Sequence, residues 1–285
     1  MKNSKALLVM AGLALAGCGG GSSSSKALKI KGSDTELNLV QSLAEKFMNK
    51  NQGVSISVIG GGSGTGIAAL INGQVDVANS SRPIKDEEIQ RAEANGIQPT
   101  EFIVANDAIA VIVNPDNPVS DISIEDLSKV FKGEITNWNQ IGGPDQAISL
   151  YGRQSNSGTY VFFQEHVVKG DYSPQMKAMN GNSQIVEGVK HDAAGIGYVG
   201  LGYVRKGQSY NSEVKVLKVN GLLPHQEGYP VFRSLYQYIN GKPTGLVKAF
   251  LEFELSDEAQ KTVEEIGFIP IKGTKFEAKA KELLQ

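Results

Sequence analysis

Short apolar runs alternate with amphipathic helical patterns along most of this 285-residue chain. The run 28–30 is followed by apolar residues at helical spacing over 40–47, and then by the strand-like segment 54–59. A strand, a helix and a second strand in that order predict a βαβ unit, and therefore a layered α/β fold. The same patterns predict further strands at 75–78, 109–113, 148–150, 195–199 and 214–219. They predict further helices at 64–72, 84–95, 123–131, 158–168, 183–190, 244–254 and 256–266.

Two segments that contain proline and glycine interrupt this alternation. The segment 102–117 contains Asn114-Pro115, and the segment 221–230 contains Leu223-Pro224 and Tyr229-Pro230. They predict two lobes joined by two hinge crossings, with lobe 1 formed by residues 26–103 and 228–285 and lobe 2 by residues 106–223. Because 40% of the residues are hydrophobic, the chain can bury a core in each lobe.

The N-terminus has the features of a bacterial lipoprotein signal. Lys2 and Lys5 precede the apolar run 6–16, which is shorter than the roughly 20 residues that span a bilayer. The run ends in Leu15-Ala16-Gly17-Cys18, and Cys18 is the only cysteine of the chain. We expect a signal peptide at 1–17, lipid on Cys18 and a flexible Gly/Ser tether at 18–25. The alternative is an ordinary secretory signal with an incidental cysteine. The predicted location is the bacterial cell envelope, on the periplasmic side of a membrane or on the outer surface.

Composition excludes several classes of function. Twenty-eight basic residues against 30 acidic ones give a formal net charge of -2, so no overall basic field attracts nucleic acid. One cysteine excludes an internal disulfide framework and any cysteine-rich metal cluster within a single chain. We expect no cofactor and no metal, and a monomer that binds a small molecule. An anion ligand would have to be held locally.

Four loops that follow predicted strands combine glycine with hydroxyl side chains. They are 32–35, 60–66, 80–83 and 153–159, and three of them precede a predicted helix closely. Glycine lets backbone N–H groups approach a ligand, and a helix N-terminus presents further unpaired N–H groups. Because the carboxyl ends of strands line the ligand crevice in open α/β sheets, the four loops predict a site for a tetrahedral oxyanion. Arg153 can reach two oxygens of such an anion.

Each loop also has a purely structural interpretation. Ser33 with Glu36 fits a capping box, Pro83 fits an ordinary helix start, and Arg153 fits a surface salt bridge. The glycine run lacks the Lys-Ser/Thr of a Walker loop, and neither Ser63 nor Ser157 has the context of a nucleophile elbow. No catalytic residue is predicted. A secreted phosphate-ester hydrolase with a serine nucleophile and a triad assembled in space remains an alternative.

Five segments resemble the phosphate-binding protein of phosphate-specific ABC transporters, in the same order along the chain. They are Gly-Ser-Asp-Thr at 32–35, Gly-Gly-Ser-Gly-Thr-Gly at 61–66, Ala-Asn-Ser-Ser-Arg-Pro at 78–83, Gly-Glu-Ile-Thr-Asn-Trp at 133–138 and Arg153 to Thr159. The resemblance implies a two-lobed, type II-like periplasmic binding protein, with a mixed sheet flanked by helices in each lobe. It implies that phosphate is clamped between the lobes and passed to a membrane permease. The implied ligand residues are Ser33, Thr35, Ser63, Ser81, Arg82, Arg153, Ser157, Gly158 and Thr159.

Two departures from the family pattern concern selectivity. Ser81 stands where many members have an aspartate that accepts the proton of phosphate, and Ser155 or Asn156 replaces an acidic partner of the arginine. Asp34 is the nearest acidic replacement in the sequence, both as a partner for Arg153 and as a proton acceptor for phosphate. Its alternative role is that of a helix N-terminal carboxylate. A receptor for sulfate or molybdate therefore remains a second alternative.

Overall fold

The computed structural model describes residues 26–285. The predicted signal peptide, Cys18 and the Gly/Ser tether lie outside the described residues. Within them, no helix combines the length and the apolar character that a membrane crossing needs.

The described chain contains strands and helices in alternation. The strands are β1 (Lys26–Gly32), β2 (Val54–Ile59), β3 (Val77–Ser80), β4 (Pro99–Val113), β5 (Asp121–Ile122), β6 (Ser149–Arg153), β7 (Lys177–Met179), β8 (Gly195–Gly200), β9 (Arg205–Lys206), β10 (Ser209–Tyr210), β11 (Lys215–Val216), β12 (Lys218–Val219) and β13 (Phe232–Asn240). The helices are α1 (Leu37–Lys50), α2 (Ser63–Ile71), α3 (Asp86–Ala94), α4 (Ile124–Lys132), α5 (Gly158–Phe163), α6 (Asn182–Lys190), α7 (Gly245–Glu254), α8 (Asp257–Ile266) and α9 (Lys275–Leu284).

Two lobes share the long strand β4. Its first part pairs with β13 antiparallel, and its second part, from Ile109 onward, pairs with β8. The strand order through both lobes is β2-β1-β3-β13-β4-β8-β6-β7. Each lobe has a mixed sheet. In one lobe β1 is parallel to β2 and β3 while β13 is antiparallel to β3. In the other lobe β6 is parallel to β7 and β8 while β4 is antiparallel to β8. This is the predicted α/β architecture of a periplasmic binding protein, and β4 forms one of its crossings.

The hydrophobic residues form a separate core in each lobe. In lobe 1, α1 turns an apolar face onto the sheet and its Phe47 packs edge-on against Phe250 of α7, with ring centroids 5.4 Å apart. In lobe 2, the buried Phe131 packs against Tyr198 of β8 at 5.3 Å. Aromatic pairs of this geometry add to the free energy gained by burying their area. The main core of lobe 2 begins at Ala108 on β4 and ends at Val231, one residue before β13.

Several elements differ from the sequence predictions. The segment 102–117, predicted as an interruption, is mostly the continuous strand β4, because a strand paired on both sides buries a long apolar run. Helix α1 begins after Glu36 and has no side-chain cap, so Ser33 and Glu36 do not form a capping box. The predicted helix 158–168 is α-helical only to Phe163, and its second part, Gln164–Val168, is a π-helix. Strand β13 and helix α9 were not predicted.

Candidate functional site

Four fully buried hydroxyl groups meet between the two lobes. Thr35 Oγ1 lies 2.7 Å from Thr159 Oγ1, Ser81 Oγ lies 3.4 Å from Thr159 Oγ1, and Ser63 Oγ lies 3.3 Å from Ser81 Oγ. All four side chains are at most 1% exposed. We call Thr35, Ser63, Ser81 and Thr159 the hydroxyl cluster. Each hydroxyl can donate one hydrogen bond, so the cluster can present several donors to one desolvated anion.

The fold brings these hydroxyls together from four separate loops. Thr35 follows β1, Ser63 begins α2 after β2, and Ser81 follows β3, all in lobe 1. Thr159 is the second residue of α5, after β6 of lobe 2. The carboxyl ends of the parallel strands in both lobes therefore face the same cleft, which is where open α/β sheets bind ligands.

The glycines of two loops allow close contact between the lobes. A Cβ on Gly158 would lie 2.3 Å from Ser63 Oγ and 2.8 Å from Ser81 Oγ. A Cβ on Gly62, whose φ is 102°, would lie 2.8 Å from the carbonyl oxygen of Asn156. Because a side chain at either position would separate the loops, glycine lets the backbone N–H groups at the starts of α2 and α5 approach the hydroxyl cluster.

Arg153 supplies a buried positive charge that contacts Asp34, the residue before Thr35 of the cluster. Its side chain is 1% exposed, Nη1 donates to Asp34 Oδ2 at 3.1 Å, and Nη2 donates to the carbonyl of Asn180 at 2.9 Å. Its Nε has no hydrogen-bond partner within residues 26–285. Burial lowers the pKa of this guanidinium, and the Asp34 carboxylate acts in the opposite direction. A buried arginine with a donor to spare is suited to hold an anion.

Asp34 links the two lobes. Besides Arg153, its Oδ2 accepts from the backbone N–H of Asn182 at 2.9 Å and from Asn182 Nδ2 at 2.7 Å. The backbone oxygen of Asp34 also accepts from the hydroxyl of Tyr203 at 2.5 Å. Asp34, the nearest acidic replacement in the sequence, thus lies in contact with Arg153. Its alternative role as a cap of α1 is wrong, because Glu36 occupies the N-cap position of that helix.

Comparisons with known proteins show the family of the chain. A family model described as a PBP superfamily domain matches residues 19–258. The phosphate-binding protein PstS of Bacillus subtilis is 35% identical over 254 residues, covering 87% of this chain and 81% of the relative. Protein SphX of Synechococcus elongatus is 31% identical over 264 residues, covering 87% and 78%. This chain belongs to the PBP superfamily and, within it, to the PstS family.

A solved structure of the same family has a similar fold. It is the structure of a putative phosphate ABC transporter substrate-binding protein with bound phosphate from Clostridium perfringens. It matches with a TM-score of 0.80 and 29% identity, covering 87% of this chain and all of that one. A phosphate transport receptor from Vibrio cholerae matches with a TM-score of 0.69. The PstS family fold therefore extends over nearly the whole described chain.

The side chains of three predicted site residues do not join the cluster. The guanidinium of Arg82 donates to both carboxylate oxygens of Glu88, at 2.8 and 2.7 Å. Ser157 caps α5, with its Oγ accepting from the N–H of Tyr160 at 3.4 Å. Ser33 is buried, and its Oγ has no hydrogen-bond partner within the described part of the chain. The structure thus brings Asp34, the hydroxyl cluster, Arg153 and Gly158 together, while the side chain of Arg82 is held by Glu88.

A further buried arginine of this PstS-family site was not predicted from the sequence. Arg233 on β13 is 4% exposed and donates to Asp107 of β4 through Nε at 3.0 Å and Nη2 at 2.8 Å. It also donates to Thr159 Oγ1 at 3.0 Å, within the hydroxyl cluster. The available signal was an acidic residue within the mainly apolar run of β4 and a basic residue in β13, because buried charges are found almost only in pairs.

None of the three histidines hydrogen-bonds a serine of the cluster within the described residues. His166 stacks on Phe162 with ring centroids 3.9 Å apart, His191 lies 3.4 Å from Glu187, and His225 pairs with the hydroxyl of Tyr210. A serine nucleophile needs a base within hydrogen-bond reach. These contacts therefore disfavour the alternative of a triad hydrolase.

Glu36 adds a buried carboxyl group near the site. It is fully buried, and neither carboxylate oxygen has a hydrogen-bond partner among residues 26–285. Burial raises the pKa of Glu36 well above its usual value of 4.5, although the Arg233 guanidinium acts in the opposite direction. The folded protein therefore favours the neutral form of Glu36, which limits the negative charge close to an anion.

The Glu36→Gln variant should be more stable than the wild type at neutral and alkaline pH. The pKa of Glu36 is higher in the folded than in the unfolded state, so its contribution to stability is complete below pH 4.5 and is lost as the pH rises. The neutral amide removes this loss, which is at most about 1.4 kcal/mol per pH unit. Urea unfolding of both proteins from pH 4 to 8 measures the difference. A difference that does not grow with pH would show that Glu36 has an ordinary pKa.

Proposed function

We propose that this protein is an extracytoplasmic receptor that binds inorganic phosphate between its two lobes and delivers it to the permease of an ABC transporter. The observation that carries the proposal is the hydroxyl cluster, which joins donors from both lobes beside the buried cation of Arg153. The phosphate-binding relatives and the phosphate-bound structural neighbour support the choice of ligand.

The ligand residues that we propose keep the full predicted set. They are Ser33, Asp34, Thr35, Ser63, Ser81, Arg82, Arg153, Ser157, Gly158 and Thr159. The four cluster hydroxyls, the N–H groups at the start of α5 and Arg153 donate to the anion directly. Arg82 contributes through the turn that it fixes with Glu88, and Ser157 through its cap on α5. Arg153 is already paired with Asp34. Oriented hydroxyl and N–H dipoles therefore offset much of the negative charge of the bound anion.

The two lobes close on the anion as rigid units around the crossings. We propose the boundaries 26–103 with 228–285 for lobe 1 and 106–223 for lobe 2. The division of the hydrophobic core between Ala105 and Ala108 and between Val231 and Leu235 supports these boundaries within a few residues. Hinge closure of this kind buries a small ligand completely and explains why the site residues are inaccessible to solvent.

Phosphate should raise the melting temperature of the protein, because a ligand that binds only the folded state stabilises it. A thermal shift titration with phosphate, accompanied by an assay with a chromogenic phosphate ester, tests the receptor against the hydrolase. Stabilisation without turnover is expected. Turnover of the ester would favour the hydrolase, and the absence of any thermal shift would contradict phosphate binding.

Asp34 is the residue that we propose to distinguish phosphate from sulfate. Within the described residues, the three hydrogen bonds to its carboxylate are all accepted by Oδ2. Its Oδ1 can therefore accept the hydrogen bond of protonated phosphate. Sulfate carries no proton at neutral pH, so a carboxylate oxygen facing it would repel it and remain unpaired. Selectivity would then arise at Asp34 instead of at Ser81.

The Asp34→Asn variant should therefore lose selectivity. We expect the ratio of phosphate affinity to sulfate affinity to fall by about tenfold or more, since a carboxylate oxygen that a bound anion desolvates and leaves unpaired costs roughly 1–3 kcal/mol. Both affinities are measured by calorimetry in wild type and variant at one pH. If the carboxylate serves only to pair with Arg153, both anions will weaken together and the ratio will stay the same.

A lipid anchor would attach the protein to a membrane of the cell envelope. We propose that Cys18 carries lipid and that the Gly/Ser tether holds the receptor at the cell envelope as a monomer. Cys18→Ser should release the protein from membranes and leave its phosphate affinity unchanged, because Cys18 is separated in the sequence from every proposed ligand residue. Fractionation of cells that express each form measures the release. Equal membrane association of both forms would contradict the anchor.

A further inference from the structure

Arg233 joins the hydroxyl cluster to the strand that crosses between the lobes. Its Nη2 donates to Thr159 Oγ1 at 3.0 Å, and its Nη1 donates to the carbonyl oxygen of Ser81 at 3.0 Å. Nε and Nη2 also donate to Asp107 Oδ2, so four hydrogen bonds fix the orientation of the guanidinium. Arg233 and Asp107 are 4% and 0% exposed, respectively.

A guanidinium group can only donate hydrogen bonds. Thr159 Oγ1 must therefore accept from Arg233, and its own hydrogen is left to point toward the rest of the cluster. We infer that Arg233, held by Asp107, is a positioning residue that makes the Thr159 hydroxyl a hydrogen-bond donor to the bound anion. The inference rests on the proposed function, because it assumes that the cluster binds phosphate.

Arg233 and Asp107 both contact residues of lobe 2. Asp107 lies on β4, and its Oδ1 accepts from the backbone N–H of Leu201 in lobe 2 at 2.9 Å. Arg233 and Ser81 belong to lobe 1, whereas Thr159 belongs to lobe 2. We therefore expect the contact between Arg233 and Thr159 to break when the lobes open. Its loss should mainly increase the rate of phosphate dissociation, because contacts made after the encounter affect release more than association.

A double-mutant cycle separates positioning from a general effect on charge or folding. Calorimetry gives the dissociation constant of phosphate for the wild type, Arg233→Gln, Thr159→Val and the double variant. We expect Arg233→Gln alone to weaken binding by about tenfold or more, as for the loss of a hydrogen bond to a charged group. In the Thr159→Val background the same change should have less than half of that effect in free energy, since the hydroxyl it positions is gone.

Gln260→Ala is the matched control. Gln260 is a buried polar side chain of lobe 1 with three hydrogen bonds, to Val104, Glu254 and Ile271, away from the cluster. Its loss should lower the melting temperature without changing phosphate affinity. If Arg233→Gln does not fold, Arg233→Lys replaces it in the cycle, because lysine keeps the charge but not the forked geometry.

Each outcome has a distinct meaning. Unchanged affinity in the Arg233 variant, or equal effects of that change with and without the Thr159 hydroxyl, would overturn the inference and leave the proposed function intact. Failure of the wild type to bind phosphate would overturn the proposed function, and the inference with it. Non-additive losses together with faster dissociation would establish the positioning role.

Discussion

Replacing Arg153 by alanine is expected to reduce phosphate affinity more than any other single change in the site. Arg153 is buried, and its Nε has no partner within the described residues, so it can bind the anion by a desolvated, charge-assisted contact. Contacts of this kind contribute roughly 2–5 kcal/mol, which corresponds to a loss of about 30-fold to several thousandfold. The variant also leaves Asp34 without its cation, and that carboxylate then repels the anion.

A matched variant separates this effect from a loss of stability. Asn114 is a buried polar residue of the same lobe, and its Nδ2 donates to the carbonyl groups of Val189 and Lys190. Asn114→Ala should lower the melting temperature and keep phosphate affinity within a few fold. Calorimetric titration of both variants tests the prediction, and wild-type affinity in Arg153→Ala would remove Arg153 from the site.

Replacing Gly158 by alanine is expected to have the second largest effect, because it prevents full closure of the lobes. The added Cβ would lie 2.3 Å from Ser63 Oγ and 2.8 Å from Ser81 Oγ, which are both in the opposite lobe. Overpacking of this kind costs about 1–3 kcal/mol, so phosphate affinity should fall by roughly 5- to 150-fold. The clash exists only in the closed state, so an open molecule tolerates the methyl group.

Small-angle scattering and calorimetry test this prediction together. With saturating phosphate, Gly158→Ala should keep a larger radius of gyration than the wild type. Gly170→Ala serves as the control, because Gly170 is exposed and its added Cβ would meet only the flexible end of Lys132, 3.3 Å away. A compact, tightly binding Gly158→Ala protein would show that the cleft tolerates a side chain at this position.

Most of the fold could be predicted from local sequence patterns. The βαβ opening and the seven helices from α2 to α8 follow from apolar periodicity, because an element that packs one face on a core repeats its apolar residues at a fixed spacing. Strand β13 could not be predicted in this way, since it runs between β3 and β4 and buries residues on both faces, including Arg233, Ser234 and Gln237. Polar residues buried on both faces leave no alternating pattern.

The parts of the site that depend on local sequence could be predicted, whereas contacts between distant residues could not. The glycine- and hydroxyl-rich loops could be recognised because turn residues and helix starts are local features. The partner of Arg153 was also found, as Asp34 is the acidic residue that the loops retain. Arg233 and Asp107 are 126 residues apart and meet only through the pairing of β13 with β4. Likewise, the binding of Arg82 to Glu88 depends on how the turn before α3 packs.

Calorimetric titration of the wild-type protein with phosphate, sulfate, molybdate and arsenate tests the central claim most directly. The hydroxyl cluster, Arg153 and the proposed acceptor on Asp34 predict one phosphate per chain, with arsenate next in affinity because it carries a proton and has the same shape. Sulfate and molybdate should bind at least tenfold more weakly, because they bring no proton to the Asp34 carboxylate and leave its Oδ1 desolvated and unpaired. Tighter binding of sulfate or molybdate than of phosphate, or no heat with any of the four anions, would contradict the account.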